Sequence, residues 1–322
     1  DRALPGLLKT MMPFLEEVAE AIRAQGIAPV TAPVCRLRSD YEAAVKRFNE
    51  EQVDAIVTLH LAYAPSLEAV DALCAAPQPI IMLDTTPDAA FGRDTGPDLI
   101  LRNHGIHGLQ DLANLLRRRG KPYWVIAGHL EHRPDVMEAL ARTVAFVRAA
   151  RRFKSTRALR IGPPLEGMGD FQVGPGVLES RFGIEVNTIE PQQLAPEVEQ
   201  VTAAQIEEEI RQNQKLFDVE AGAECHARSA RVGLGLRHYL RRHGYTAFSL
   251  NFDAFQSGDG PVNTVPFLEC SKSMAAGIGY AGEGDVLTAS LVGALLSACP
   301  QTTFAEMFCP DWTGESIFLS HM

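Results

Sequence analysis

Two glutamates and a histidine near the end of this 322-residue chain stand where side chains could do chemistry. Glu283 sits in GYAGEGDVLT, Glu306 in TTFAEMFCPDW and His321 in IFLSHM. Two carboxylates and one imidazole make an oxygen-rich donor set, which suits Mn²⁺ or Mg²⁺ rather than thiolate zinc chemistry. Gly277, Gly279, Gly282 and Gly284 surround Glu283, so the backbone there can turn sharply and approach a ligand closely. The plainer alternative is an exposed acid in a turn, with Asp285 as the N-cap of a following helix. Glu306 lies between Phe304 and Phe308. Alternate residues of a strand share a face, so the carboxylate is expected to point into apolar surroundings, where it needs either a salt-bridge partner or a metal. By the same alternation Cys309 should face away from it. His321 follows an apolar strand, and by itself it fits a satisfied core histidine as well as a ligand.

The elements that must position these groups alternate between helical and strand-like segments. Helices are expected at Leu8–Ala24, Tyr41–Glu51, Ser66–Ala75, His107–Arg119 and Asp135–Arg152. Strands are expected over 27–34 and at Val53–Leu61, Pro79–Thr86 and Tyr123–His129. Short apolar strands separated by helices predict parallel sheets covered on both faces. Ligands gather at the carboxyl ends of such strands, which draws attention to His60, Asp84, Asn103–His104 and Gly128–His129. His104 and His107 form an HxxH pair, but at a helix entrance that spacing also fits packing and capping.

A second unit is expected to begin near Arg157. ALRIGPP, VNTIEP and AFSLNF are its strands, and Thr202–Phe217, Ala221–His243 and Asp285–Ala298 its helices. In the first of these helices the Glu207–Glu209 run reads as a solvated face, with Glu207 and Arg211 spaced for an i,i+4 pair. Asp170 reads as an ordinary loop acid. The expected fold class is therefore α/β, with two consecutive doubly wound parallel-sheet domains followed by the start of a truncated β-rich C-terminal domain. The N-terminal Rossmann-like domain spans 1–156 and opens on a helix, as though its first strand were missing. The central domain, 157–300, carries Glu283, and the β-rich segment, 301–322, carries Glu306 and His321.

Composition narrows the function classes. The formal net charge of −10 argues against nucleic acid or an anionic membrane surface as the main partner, since both require a basic face. No apolar run is long enough to span a bilayer. Six cysteines are scattered without a CxxC pair; we read them as reduced thiols, mostly in or near the core, of a cytoplasmic protein. A nicotinamide dehydrogenase is disfavoured because no GxGxxG follows an early strand, and GLGLRHYL lies inside a helix.

GYAGEGDVLTAS, FAEMFCPDW and IFLSHM resemble the L-arabinose isomerase group within the L-fucose/L-arabinose isomerase superfamily. So do RNHGIHGLQDLANLLRRRGKPY, VIAGHLEHRPDVMEALARTVAFVRAAR, LRIGPPLEGMGDF and PFLECSKSMAAGIGYAGEGD. The resemblance implies a cytoplasmic metal-dependent aldose–ketose isomerase acting on a monosaccharide through an enediol or enediolate. It implies a homo-oligomer, a hexamer or similar, with sites at subunit boundaries. Glu283, Glu306 and His321 would hold Mn²⁺, or Mg²⁺ or Co²⁺ in its place, and the two glutamates would also be the catalytic acid–base groups. His129 would touch the sugar in a neighbouring subunit's site. A fourth ligand, a second histidine, and the Gly-Glu expected after Ser-His-Met are not in this sequence, so a piece of a longer protein is expected. HLAYAPSLEA and CPDWTG depart from the wording of the typical bacterial enzyme, which leaves the sugar open. A non-catalytic two-lobed sugar-binding protein is the alternative.

Overall fold

The computed structural model describes residues 6–133, 135–255 and 260–320. The chain divides into two compact units, Asp1–Val147 and Arg148–Met322.

The first unit contains α1 (Leu7–Ala24), α2 (Arg38–Glu50), β1 (Ile56–Leu59), α3 (Ser66–Ala75), β2 (Ile80–Asp84), α4 (Pro97–Arg102), α5 (Gly105–Arg118) and β3 (Tyr123–Ala127). It ends within α6 (Asp135–Lys154). The three strands form a parallel sheet in the order β1-β2-β3. Central β2 is buried on both faces: Ile80 and Met82 join one apolar cluster, Ile81 and Leu83 the other. This is why its sequence is continuously apolar rather than alternating. The strand expected over 27–34 does not form. Pro29 and Pro33 lack the N–H groups that a ladder needs. Asn103–His104 joins α4 to α5 and is not a strand exit, whereas His60, Asp84 and Gly128–His129 do lie at the carboxyl ends of β1, β2 and β3.

The second unit contains β4 (Arg157–Ile161), α7 (Pro175–Phe182), β5 (Glu185–Ile189), α8 (Ala195–Glu199), α9 (Ala203–Leu216), α10 (Ala223–His243), β6 (Ala247–Leu250), α11 (Phe267–Ala275), β7 (Gly279–Gly282) and α12 (Val286–Leu296). A hairpin of β8 (Glu306–Asp311) and β9 (Ser316–Ser320) follows. Its four-stranded parallel sheet has the order β5-β4-β6-β7. The chain leaves β4 toward β5, then returns to β4's other side at β6. The carboxyl ends of β4 and β6 therefore flank a topological switch point, the usual ligand crevice of such sheets.

Strand β7 is the element whose pattern is least visible in the sequence. Its four residues, Gly-Tyr-Ala-Gly, are fully buried. Gly279 is required by close packing: a Cβ there would lie 2.0 Å from the Ala289 carbonyl and 2.4 Å from the Gly293 amide. Part of the glycine density around Glu283 thus serves strand–helix contact rather than ligand approach. GLGL inside α10 has a similar origin, since a Cβ on Gly235 would meet Val198 Cγ2 at 2.5 Å.

A buried ionic cluster joins α9, α10 and α11. Arg237 donates to both Glu209 and Glu269, Lys272 donates to Glu209 and to Asn213, and Asn213 pairs with His226 at 3.0 Å. The Glu207–Glu209 run is therefore not wholly solvated. Glu207 is exposed, but Glu209 turns inward, and Arg211 pairs with Glu208 rather than Glu207. Burial alone would raise the Glu209 pKa; its bonds from Arg237 and Lys272 hold it below the usual carboxylate value.

Hairpin β8–β9 is antiparallel and carries a bulge. Met307 faces Leu319 and Cys309 faces Phe318, leaving Phe308 as the extra residue. The one-residue shift reverses the alternation beyond it, so Cys309 shares a face with Glu306 instead of opposing it. All six cysteines are free thiols, with Cys270 buried and Cys225, Cys299 and Cys309 exposed, so fewer are in the core than expected. No helix among the described residues is long and apolar enough to cross a membrane.

Gly279→Ala should destabilise the second unit by about 2–3 kcal/mol through overpacking against α12. Gly176→Ala, with nothing within 4 Å, should be neutral or stabilising by up to about 1 kcal/mol. Equal urea midpoints for the two variants would contradict the packing argument.

Candidate active site

Glu283 is the first residue after β7, at the carboxyl edge of the four-stranded sheet. Its φ is 63°, in the left-handed region, which costs a non-glycine residue on the order of 1–3 kcal/mol. Neighbours from two other segments hold it there. Ser249, fully buried on β6, accepts the Gly284 N–H at 2.9 Å. Its single proton is shared between the Ala281 and Gly282 carbonyls at 2.7 and 2.9 Å. The Leu165 N–H donates to the Glu283 carbonyl at 2.9 Å. Gly284, with φ 93°, lies so close to the chain after β4 that a Cβ would sit 2.8 Å from Pro164 Cα. Asp285 accepts the Thr288 N–H at 2.9 Å and caps α12. The helix cap therefore belongs to Asp285, and the Glu283 side chain is not needed for it.

Three residues earlier, Tyr280 is 1% exposed. Its ring centroid lies 5.1 Å from that of Phe248, and 6.2 Å from that of Phe304 in an edge-to-face contact at 87°. Burial is the main cause that pushes the phenol pKa up. Cys270 beside it adds to the shift, as do the charges of Glu283 and Glu306. The Phe304 contact links β7 to the segment that enters β8. Glu306 opens β8 and is half-buried. The expected apolar interior around it is only partly realised. Phe304 packs on the core, but Met307 is 77% and Phe308 41% exposed, because the bulge takes Phe308 out of the alternation.

His321 lies outside the described residues. Among those described, no group of three or more His, Cys, Asp or Glu side chains gathers as a metal site. Glu283 and Glu306 both contribute to the raised pKa of Tyr280. Their all-oxygen chemistry fits a hard divalent ion and not a thiolate-loving one. A groove of about 480 Å³ is lined by Arg160, Pro163, Pro164, Glu166, Gln172 and Gly174 among others. Neither glutamate lines it; Pro164, which backs Gly284, is the shared wall. Asp170 is exposed, as expected of a loop acid.

The carboxyl edge of the first unit's sheet is described separately. Thr58 Oγ1, His60 Nδ1, Thr85 Oγ1 and His129 Nε2 are buried there without a hydrogen-bond partner among the described residues. Burial lowers the His60 pKa and raises that of Asp84. His129 Nδ1 accepts from the amides of Glu131 and His132, at 3.2 and 3.4 Å. In the neutral ring this leaves the proton on Nε2, a donor awaiting an acceptor. His104 and His107 bond each other at 3.0 Å, with Tyr63 against the His107 ring.

Two residues that shape this region escape a reading of the sequence alone. Ser249 could have been noticed as a hydroxyl in the apolar run AFSLNF. Tyr280 stands in a glycine-rich run that reads as a turn. Glu283→Gly should raise stability by about 1 kcal/mol, by relieving the left-handed strain. Ser249→Ala should lower it by about 1–3 kcal/mol, by leaving the Gly284 amide unsatisfied. Chemical denaturation of both variants checks the pair, and opposite signs are the expected result.

Comparison with known proteins places these features. Residues 177–299 match the L-arabinose isomerase central domain, a span that includes Glu283 and stops before Glu306. The L-arabinose isomerase of Mycolicibacterium smegmatis is 28% identical over 288 residues, covering 84% of this chain and 56% of that protein. The enzyme of Arthrobacter sp. strain FB24 is 25% identical over 303 residues, 89% of this chain and 58% of its own length. That of Geobacillus kaustophilus is 28% identical over 257 residues, 75% of this chain and 49% of its own length. The chain spans about half the length of the curated relatives it matches. It is thus similar to the L-arabinose isomerase central domain at residues 177–299, and to those enzymes over three quarters or more of its length.

Proposed function

We propose that the chain belongs to a metal-dependent aldose–ketose sugar isomerase, with Glu283 and Glu306 as its acid–base pair. The similarity to L-arabinose isomerases gives the reaction class. The observation that supports the choice of residues is the place of Glu283, at the carboxyl end of β7 in backbone fixed through the Ser249 hydroxyl.

Aldose–ketose isomerisation moves one proton between adjacent carbons and another between their oxygens. A carboxylate beside the C1–C2 edge of a monosaccharide takes the proton from one carbon and returns it to the other, by way of an enediol. The second carboxylate handles the hydroxyl proton. Glu283 is suited to such work because its backbone is fixed: a strand end, two glycines and the Ser249 hydroxyl set its direction before any ligand arrives. Glu306 arrives on a separate hairpin, so its placement depends on how that hairpin docks. Together with His321, the two glutamates would hold Mn²⁺, or Mg²⁺ or Co²⁺ in its place. Such an ion would supply Lewis acidity to the two reacting oxygens. His129 is the proposed sugar contact, since its buried Nε2 is a donor that a sugar oxygen would satisfy. Assembly into a homo-oligomer and a cytoplasmic location belong to the same proposal.

Glu306→Gln should lower turnover by about 10³-fold or more, within the range for losing a general acid–base group, with the melting temperature unchanged. Chelation of the full-length protein should abolish isomerisation, and Mn²⁺ should restore it. Full activity in the glutamine variant would end the proposal. Sugar affinity that survives chelation, with no turnover under any metal, would indicate a binding protein instead.

A further inference from the structure

We propose that the groove beside β4 is a binding site for a sugar carboxylate, an aldonate or a uronate, with Arg160 as its anchor. Neither Glu283 nor Glu306 lines this groove, and the inference stands without the isomerase reading.

Arg160 is the penultimate residue of β4, an interior strand of the four-stranded sheet. It is half-buried and lines the groove of about 480 Å³, within the roughly 300–1,000 Å³ of small-molecule clefts. Other arginines of this unit meet acids: Arg157 pairs with Glu185, Arg237 with Glu209 and Glu269, and Arg242 with Glu197. Among the described residues, no carboxylate pairs with Arg160. Its Nε donates instead to the hydroxyl of Thr188, its ladder neighbour on β5, at 3.2 Å. That bond holds the guanidinium plane and leaves both Nη groups for an end-on, two-pronged contact, the geometry that matches a carboxylate.

The chain after β4, which forms one wall, is equally fixed. The Gly162 N–H donates to the Ile189 carbonyl at 2.8 Å, and the Leu165 N–H to the Glu283 carbonyl at 2.9 Å. Asn251 Nδ2 donates to the Pro163 carbonyl at 3.0 Å. The groove is therefore formed before any ligand arrives, which lowers the cost of binding. Pro163, Pro164 and Pro175 give it apolar sides suited to the C–H face of a sugar. Glu166 and Gln172 are exposed on it and can bond hydroxyl groups. Charge selects the anion. Arg160 is the one cation among the described lining residues, and Glu166 opposes a second negative charge. The single charge of a carboxylate suits this balance better than a phosphate carrying about −1.5 to −2.

The test is calorimetric titration of the full-length protein with D-gluconate and D-galacturonate, with D-glucose and D-glucose 6-phosphate as controls. At least one of the two acids should bind more tightly than either control. Arg160→Gln should weaken that binding about tenfold to a hundredfold, the scale of charge-assisted hydrogen bonds. Arg160→Lys keeps the charge but loses the fork, and should weaken it about tenfold. Arg157→Gln, outside the groove, should bind as the wild type does. Binding should also persist after chelation, because a carboxylate held by a metal ion would leave with the ion. No binding of either acid, wild-type affinity in Arg160→Gln, an equal loss in Arg157→Gln, binding that ends on chelation, or tighter binding of the phosphate each overturns the inference. If Arg160→Gln does not fold, Arg160→Lys decides.

Discussion

A glutamate held in left-handed backbone at the end of a buried strand is the constraint on which the second unit is organised. Glu283 would relax toward an ordinary turn if its neighbours allowed it, because the conformation costs on the order of 1–3 kcal/mol. Ser249 and Leu165 hold it from outside the turn, and Pro164 closes the space that Gly284 would otherwise use. These neighbours come from β6 and from the chain after β4, so the turn forms only when β4, β6 and β7 are in register. The fold and the direction of this carboxylate are therefore one fact. Glycine at 279 and 293 belongs to the same arrangement, since α12 can lie on β7 only where neither backbone carries a Cβ.

The helices behind the sheet fix where β7 begins. Helix α11 leads directly into it, and α11 is tied to α9 and α10 through Glu269, Lys272, Arg237 and Glu209. Two acids and two cations cancel in formal charge. Such a cluster contributes less to net stability than to geometry, because removing any one member leaves a buried charge without compensation. Gly233 lets α10 approach Glu269 closely enough for these bonds, its absent Cβ being 3.0 Å from that of Glu269. Packing and polar satisfaction thus agree on a single position for α11, and through it for Tyr280 and Glu283.

Much of this was legible in the sequence, and the misses share a physical cause. Long helices with an amphipathic stripe announce themselves, and α1, α6, α9 and α10 form where the pattern predicts them. Asp285 is legible as an N-cap because its neighbours leave it no other local role. Strand β7 was not legible. A four-residue strand half made of glycine has no period, and what makes it a strand is α12, which sequence periodicity does not register. The strand expected over 27–34 failed the other way: its apolar residues suit a strand, but two prolines remove ladder donors. Glu209 looked solvated because its partners lie 28 and 63 residues away. The bulge at Phe308 exposes the limit of alternation arguments, since one inserted residue moved Cys309 onto the face of Glu306. In the site itself, the side-chain types were readable, but the buried Ser249 hydroxyl that fixes the turn at Glu283 was not.

Two carboxylates that work as one acid–base pair would also repel each other. Like charges a few ångströms apart cost roughly 2–4 kcal/mol at the effective dielectric of a protein surface. Two kinds of partner would offset that repulsion. A proton shared by the pair would leave one base and one neutral acid, as in paired-carboxylate hydrolases. A divalent cation would keep both carboxylates ionised and both able to accept protons. The proposed isomerisation asks for the second arrangement, because one group must take a proton from carbon while the other serves the oxygens.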